Sequence, residues 1–225
     1  MTARARYDGN ADWYEERVAS WSSAVATPLI ARLAGAGPGR CVDLGCGTGV
    51  HLAALAGAGW SVVGVDVSGD QLRVAGQRAG SAATALVRGD VAELPFVDGA
   101  FDLVVSAFTH SDVDDFGALA REGGRVLRPA GRFVYVGLHP CFTGPFAEQP
   151  RADGARVVHP GYARAGWRTG GPGTVVGGLT DRVGFHQRPL PDVLNSVLDA
   201  DLRLLRVEEG GNAQLPEWLA LVARR

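Results

Sequence analysis

The sequence contains no lysine; all 22 basic residues are arginine. Schiff-base chemistry and a lysine general base are thereby excluded, because both need an amine that can lose its proton. Cysteine is also scarce. Cys41, Cys46 and Cys141 show no metal-ligand spacing and are too few for a disulfide framework, so a reducing, cytoplasmic compartment is expected and no metal. No basic run occurs and the formal net charge is −2, which argues against binding nucleic acid by neutralising its phosphates. Apolar residues make up 46% of the chain, enough for a full core. Yet no apolar run approaches the roughly 18 residues that cross a bilayer. Residues 1–8 lack the apolar stretch of a secretory signal. The expected partner is therefore a small molecule, with neither membrane nor nucleic acid, and a homodimer stays open.

What the chain does have is alternation. Residues 21–33 read as a helix, broken by the glycines and proline of 35–39. Short apolar strands at 40–44, 61–65, 85–88, 101–106 and 132–138 alternate with helical patterns at 50–56, 70–79 and 114–127. This rhythm predicts a parallel sheet covered by helices on both faces. Residues 139–188 interrupt it with a tract rich in Gly, Pro and Arg, the composition of a lid or binding loop. A helix at 191–199, a strand at 202–208, a turn at Gly210-Gly211-Asn212 and a strand at 218–223 follow. Two strands with no helix between them predict an antiparallel hairpin at the sheet edge.

Cys41-Val42-Asp43-Leu44-Gly45-Cys46-Gly47-Thr48-Gly49 stands where the first strand turns into a helix. Glycines there permit positive φ and close backbone approach, and the free N–H groups of a helix start favour an anionic group. A dinucleotide fingerprint would carry Gly or Ala at position 50, where this chain has Val50. Instead an acid, Asp43, ends the strand. The heptapeptide at 43–49 resembles the first motif of class I S-adenosylmethionine-dependent methyltransferases. Four further segments fall in that family's order: Val62-Val63-Gly64-Val65-Asp66, Gly89-Asp90-Val91-Ala92-Glu93-Leu94-Pro95-Phe96, Phe101 to Ala107, and Arg125 to Gly131. Taken singly, Asp66 could cap a helix and Asp90 a turn. Together the segments cover residues 41–138.

The resemblance implies an α/β fold with a doubly wound, seven-stranded, mostly parallel sheet of order 3-2-1-4-5-7-6 and its last strand antiparallel. A single domain would span 1–225, with an N-terminal helical lid at 1–35 and an inserted cap at 139–188 after the fifth strand. S-adenosylmethionine would be the cofactor and S-adenosylhomocysteine the product. Gly45, Cys46, Gly47 and Gly49 would bring backbone to the methionine portion, with Asp43 fixing the loop. Asp66 would bind the ribose diol, and Val67 and Val91 would flank the adenine. Asp90 would accept from its exocyclic amine, with Gln71, Ser106 and Ala107 completing the wall. Tyr14 resembles the N-terminal tyrosine that closes over the cofactor in ubiquinone- and menaquinone-biosynthesis relatives; simple helix packing is the other reading.

A methyl group on a sulfonium is already activated, so alignment and water exclusion are the protein's main tasks. A base is needed only when the acceptor arrives protonated, and histidine suits that role near neutral pH. His110 and His139 follow the fourth and fifth strands, at the carboxyl edge where open sheets bind ligands, and are the catalytic candidates. A structural hydrogen-bonding role is the alternative for each. Phe108, Phe142, Tyr162, Trp167 and His186 are the candidate substrate contacts, unless the cap aromatics form a small core of their own. The expected reaction is methyl transfer to a small molecule by in-line displacement, with oxygen as the acceptor atom. N- or C-methylation, and a non-methylating isomerase or cyclase on the same fold, are the alternatives.

Overall fold

The computed structural model describes residues 5–79, 84–211 and 215–225. Asn212 of the expected turn and residues 1–4 of the expected lid lie outside them. The chain opens with α1 (Ala11–Arg17) and α2 (Ala19–Ala34). Strand and helix then alternate through β1 (Gly39–Leu44), α3 (Leu52–Gly57), β2 (Trp60–Asp66), α4 (Gly69–Ala79), β3 (Thr84–Arg88), β4 (Phe101–Ala107), α5 (Phe116–Val126) and β5 (Leu127–Leu138). The interrupting tract holds β6 (Gly166–Arg168), α6 (Leu179–Val183) and β7 (Phe185–Gln187). α7 (Leu190–Leu198), β8 (Arg203–Gly210) and β9 (Trp218–Arg224) complete the fold.

Seven strands form one sheet in the order β3-β2-β1-β4-β5-β9-β8. β1 to β5 pair in parallel, while β9 runs antiparallel to both of its neighbours, β5 and β8. With the small β6–β7 pair set aside, this is the order the sequence predicts. That pair forms a separate two-stranded sheet inside the tract, which its glycine and proline content had hidden.

The central strands read as continuous apolar runs because both of their faces are covered. Leu103, Val104 and Val105 of β4, and Phe133, Val134, Tyr135 and Val136 of β5, are all fully buried. Alternate residues feed two cores. Val42, Val104 and Phe133 pack with Phe116, Leu119 and Val197 on the α5/α7 face. Cys41, Val105 and Val134 pack with Ala26, Ile30 and Leu55 on the α2/α3 face. α5 begins later than its apolar pattern suggests because Asp115 caps it, accepting a hydrogen bond from Ala118 N at 2.9 Å. Among the described residues no helix is long and apolar enough to cross a membrane. The carboxyl ends of β1, β2 and β4 lie together, and the functional site is built there.

Candidate functional site

The glycine loop leaves β1 at Gly45, whose φ of +72° suits glycine. A Cβ at this position would stand 2.5 Å from Thr109 Cγ2. Gly45 N and Cys46 N both donate to Val65 O, at 2.8 and 2.9 Å, which ties the loop to the end of β2. Gly47 N then donates to Asp66 Oδ2 at 2.9 Å, and Ser68 N to Asp66 Oδ1 at 2.8 Å. One carboxylate thus holds two turns open around a cavity of about 410 Å³. Gly49 serves packing instead, since a Cβ there would press on Leu52 and Ala75.

Several buried polar groups around this cavity have no partner among the described residues. They are both carboxylate oxygens of Asp43, the Thr48 hydroxyl, and both amide atoms of Gln71. Buried polar groups are nearly always paired, so such a cluster indicates a polar ligand. Burial, and then the nearby Asp66, push the Asp43 carboxyl up to about 7. A ligand with an ammonium group beside Asp43 and hydroxyls beside Asp66 suits this donor and acceptor set, as does an amino-acid nucleoside.

The raised Asp43 value sets the sign of a pH effect. A carboxyl that titrates higher in the folded than in the unfolded state stabilises at low pH and loses that contribution as pH rises through its folded value. The ligand-free Asp43→Asn variant is therefore expected to melt close to the parent at pH 4 and well above it at pH 8. Thermal denaturation at the two pH values checks this; an equal difference at both would remove the buried charge from the account.

The far wall carries Val67, Asp90 and Val91, with Asp90 Oδ1 accepting from Ala92 N at 2.9 Å. The N-terminal segment forms the roof through Arg6, Tyr7 and Tyr14. Tyr7 and Tyr14 meet edge to face at 5.8 Å, and burial pushes the Tyr14 hydroxyl up to about 12, so it keeps its proton. On one side the roof is fastened to α4 and the turn before it. Ser68 Oγ donates to Asp8 at 2.6 Å, Gly9 N and Ala11 N donate to Asp70, Arg73 pairs with Asp12 at 2.8 Å, and Arg78 pairs with Glu15. On the other side Arg6 pairs with Asp114 and lies over the Trp167 ring at 3.8 Å.

Most of the expected cofactor residues line this cavity. Besides those already described, Cys46, Gln71 and Ala107 do so. Asp43 and Ser106 sit just behind the wall; Ser106 Oγ donates to Leu44 O at 2.8 Å and meets Thr109 Oγ1 at 2.7 Å.

The two catalytic candidates lie away from this cavity. His110 is 1% exposed and lies outside the cavity wall. A 3₁₀ turn at Thr109–Ser111 rotates it inward, where Nδ1 shares a hydrogen bond with the Tyr135 hydroxyl and the ring packs edge-on against Phe116 and Phe185. Burial, and then Arg188, push it down to about 3, so it stays neutral. His139 has both ring nitrogens occupied, Nε2 by Glu209 at 2.9 Å and Nδ1 by Cys141 N at 3.2 Å. Neither residue lines the main cavity.

The cap aromatics are also placed otherwise than expected. Phe142 packs on His139, and Tyr162 packs on Phe146 while its hydroxyl accepts from Leu190 N at 2.8 Å. Trp167 stands behind Arg6, and His186 lines a separate pocket beside Arg188. Of the five expected substrate contacts, only Phe108 is in the main cavity wall. Sequence reasoning missed Arg6, Tyr7, Thr48, Ser68 and Asp112, which are there. For Asp112 a signal existed, because it sits two residues past His110 on the same post-strand loop.

A family model described as a methyltransferase domain matches residues 42–135. The chain is 38% identical over 107 residues to a 2-phytyl-1,4-naphtoquinone methyltransferase of Synechococcus elongatus, covering 44% of this chain and 46% of that protein. It is 40% identical over 99 residues to a demethylmenaquinone methyltransferase of Mycobacterium marinum, covering 44% of this chain and 41% of that one. The aligned part thus spans less than half the length of these curated relatives. Among solved structures, an S-adenosylmethionine-dependent methyltransferase from Mesorhizobium loti superposes with a TM-score of 0.73 at 27% identity, covering 93% of this chain and 99% of that one.

Proposed function

We propose that the chain is a class I S-adenosylmethionine-dependent methyltransferase, as its likeness to the methyltransferase domain and to the Mesorhizobium loti structure supports, and that it transfers the cofactor's methyl group to an oxygen of a small, flat acceptor. The observation that carries this reading is the set of unpartnered polar groups on Asp43, Thr48 and Gln71 around a cavity whose next wall is Asp66. When bound, the cofactor supplies an electrophilic methyl group on a positively charged sulfur. Asp43 faces the ammonium, Asp66 accepts from the ribose hydroxyls, and Val67 and Val91 enclose the adenine with Asp90 at its amine. Tyr7 and Tyr14 close the roof and exclude water, so the chain's contribution is alignment in a dry site.

Residues 1–35 act as the lid in this reading and residues 139–188 as the cap, with Arg6 and Trp167 as the joint between them. The named relatives suggest a quinone-like ring as the acceptor class, and the aromatic surfaces of Phe108, Tyr7 and Tyr14 suit one. The test is release of S-adenosylhomocysteine with a panel of hydroquinones, naphthols, catechols and, for contrast, aromatic amines. Turnover of a hydroxylated ring is expected. Turnover of amines alone would overturn the oxygen assignment, and failure to bind either form of the cofactor would overturn the whole reading.

A further inference from the structure

With both expected histidines turned away, the cavity needs another group to accept a proton. The loop after β4 holds one. Arg188, 7% exposed, directs its guanidinium at three backbone carbonyls of this loop: His110 O, Val113 O at 2.8 Å and Asp114 O at 2.6 Å. From the roof, Arg6 donates to Asp112 O at 3.1 Å. The backbone on either side of Asp112 is therefore clamped from below and from above. Asp112 lines the cavity, with Arg6 and Tyr7 of the roof beside it.

We propose that Asp112 is the catalytic residue that receives the acceptor's proton, that the acceptor is a hydroxyl-bearing molecule, and that Arg188 is its positioning residue. This rests on the methyltransferase reading above. The acceptor oxygen's lone pair forms the bond to the methyl carbon, and the carbon–sulfur pair stays on sulfur. The hydroxyl proton passes to a carboxylate oxygen of Asp112.

The groups facing this carboxyl come from every surrounding element. Arg6 and Tyr7 belong to the N-terminal segment, Tyr14 to α1, Asp66 to the end of β2, Tyr135 to β5 and Arg188 to the chain after β7. Burial is the main influence and, with Asp66, pushes the carboxyl up to about 7, against the pull of Tyr7, Arg6 and Ser111. A group so poised can take and return a proton near neutral pH.

The test needs no knowledge of the natural acceptor. S-adenosylmethionine and S-adenosylhomocysteine share the ammonium and ribose and differ in charge only at sulfur. Calorimetry at pH 7 in two buffers of different ionisation enthalpy counts the protons released by each. The parent should release more with S-adenosylmethionine, because its positive sulfur displaces the Asp112 proton. Asp112→Asn should abolish that difference. Arg188→Lys, which keeps the charge but not the fork, should bind S-adenosylhomocysteine normally yet lose most of the difference. A difference that persists in Asp112→Asn overturns the proposal; a full difference in a folded Arg188→Lys removes Arg188 from it. If neither ligand binds the parent, the cofactor reading itself has failed. With a phenol that the parent methylates, Asp112→Asn should lose about 100-fold in kcat together with the rise in rate through pH 7. Activity within about threefold of the parent would equally overturn the proposal.

Discussion

Replacing Asp66 by alanine is expected to weaken S-adenosylmethionine binding by more than tenfold. The carboxylate has two duties. It accepts from Gly47 N at 2.9 Å and Ser68 N at 2.8 Å, which shapes the loop, and its remaining lone pairs face the cavity. Hydrogen bonds to a charged acceptor contribute about 1.5–3 kcal/mol each, and about 1.4 kcal/mol is already tenfold in affinity. Loss of one ribose contact alone reaches that figure, before any loosening of the loop. Asp66→Asn keeps one acceptor oxygen and should fall between parent and alanine. Calorimetric titration reads both, and an unchanged dissociation constant in the alanine variant would sink the ribose assignment.

The second large effect concerns stability. Arg188→Met retains most of the apolar stem but leaves three carbonyls of the β4–α5 loop without their donor. A buried acceptor left unpaired costs about 1–3 kcal/mol, so a loss of roughly 3–5 kcal/mol is expected. The low end is favoured because the neighbouring pocket of about 360 Å³, which Arg188 lines, can admit water to these oxygens. Urea unfolding measures the difference. A loss below about 1 kcal/mol would mean that the loop is held by its own turn rather than by the guanidinium.

The parallel half of the fold was legible because its strands are short apolar runs bounded by glycine turns, and each helix between them carries one apolar stripe. The cofactor side of the site was legible for a related reason. The loop chemistry at 45–49 and the acids at 66 and 90 are fixed by local geometry, each lying within a few residues of a strand end. The acceptor side was not. Whether His110 or Asp112 faces the cavity depends on one 3₁₀ turn, and a single residue of rotation exchanges wall for core. The placing of the cap aromatics had another cause. Phe142 packs on His139, three residues before it, whereas Tyr162 and Trp167 meet Phe146 and Arg6 from farther along the chain, and such pairing leaves no periodic trace. Arg6 lies far along the chain from Asp112, Asp114 and Trp167, which it touches, so no local motif could have pointed to it.

The position of β9 has a consequence for the order in which the molecule assembles. It lies between β5 and β8, so β8 cannot join the sheet until β9 is present, whereas β5 already pairs with β4. Leu138 pairs with Trp218, and the whole cap and α7 lie in the loop that this contact closes. Closing so long a loop carries an entropic cost that is repaid only once the ladder forms. The β3-β2-β1 portion, built from neighbours in sequence, can collapse first. A late, non-local zippering of β9 against β5 is the expected close of that assembly.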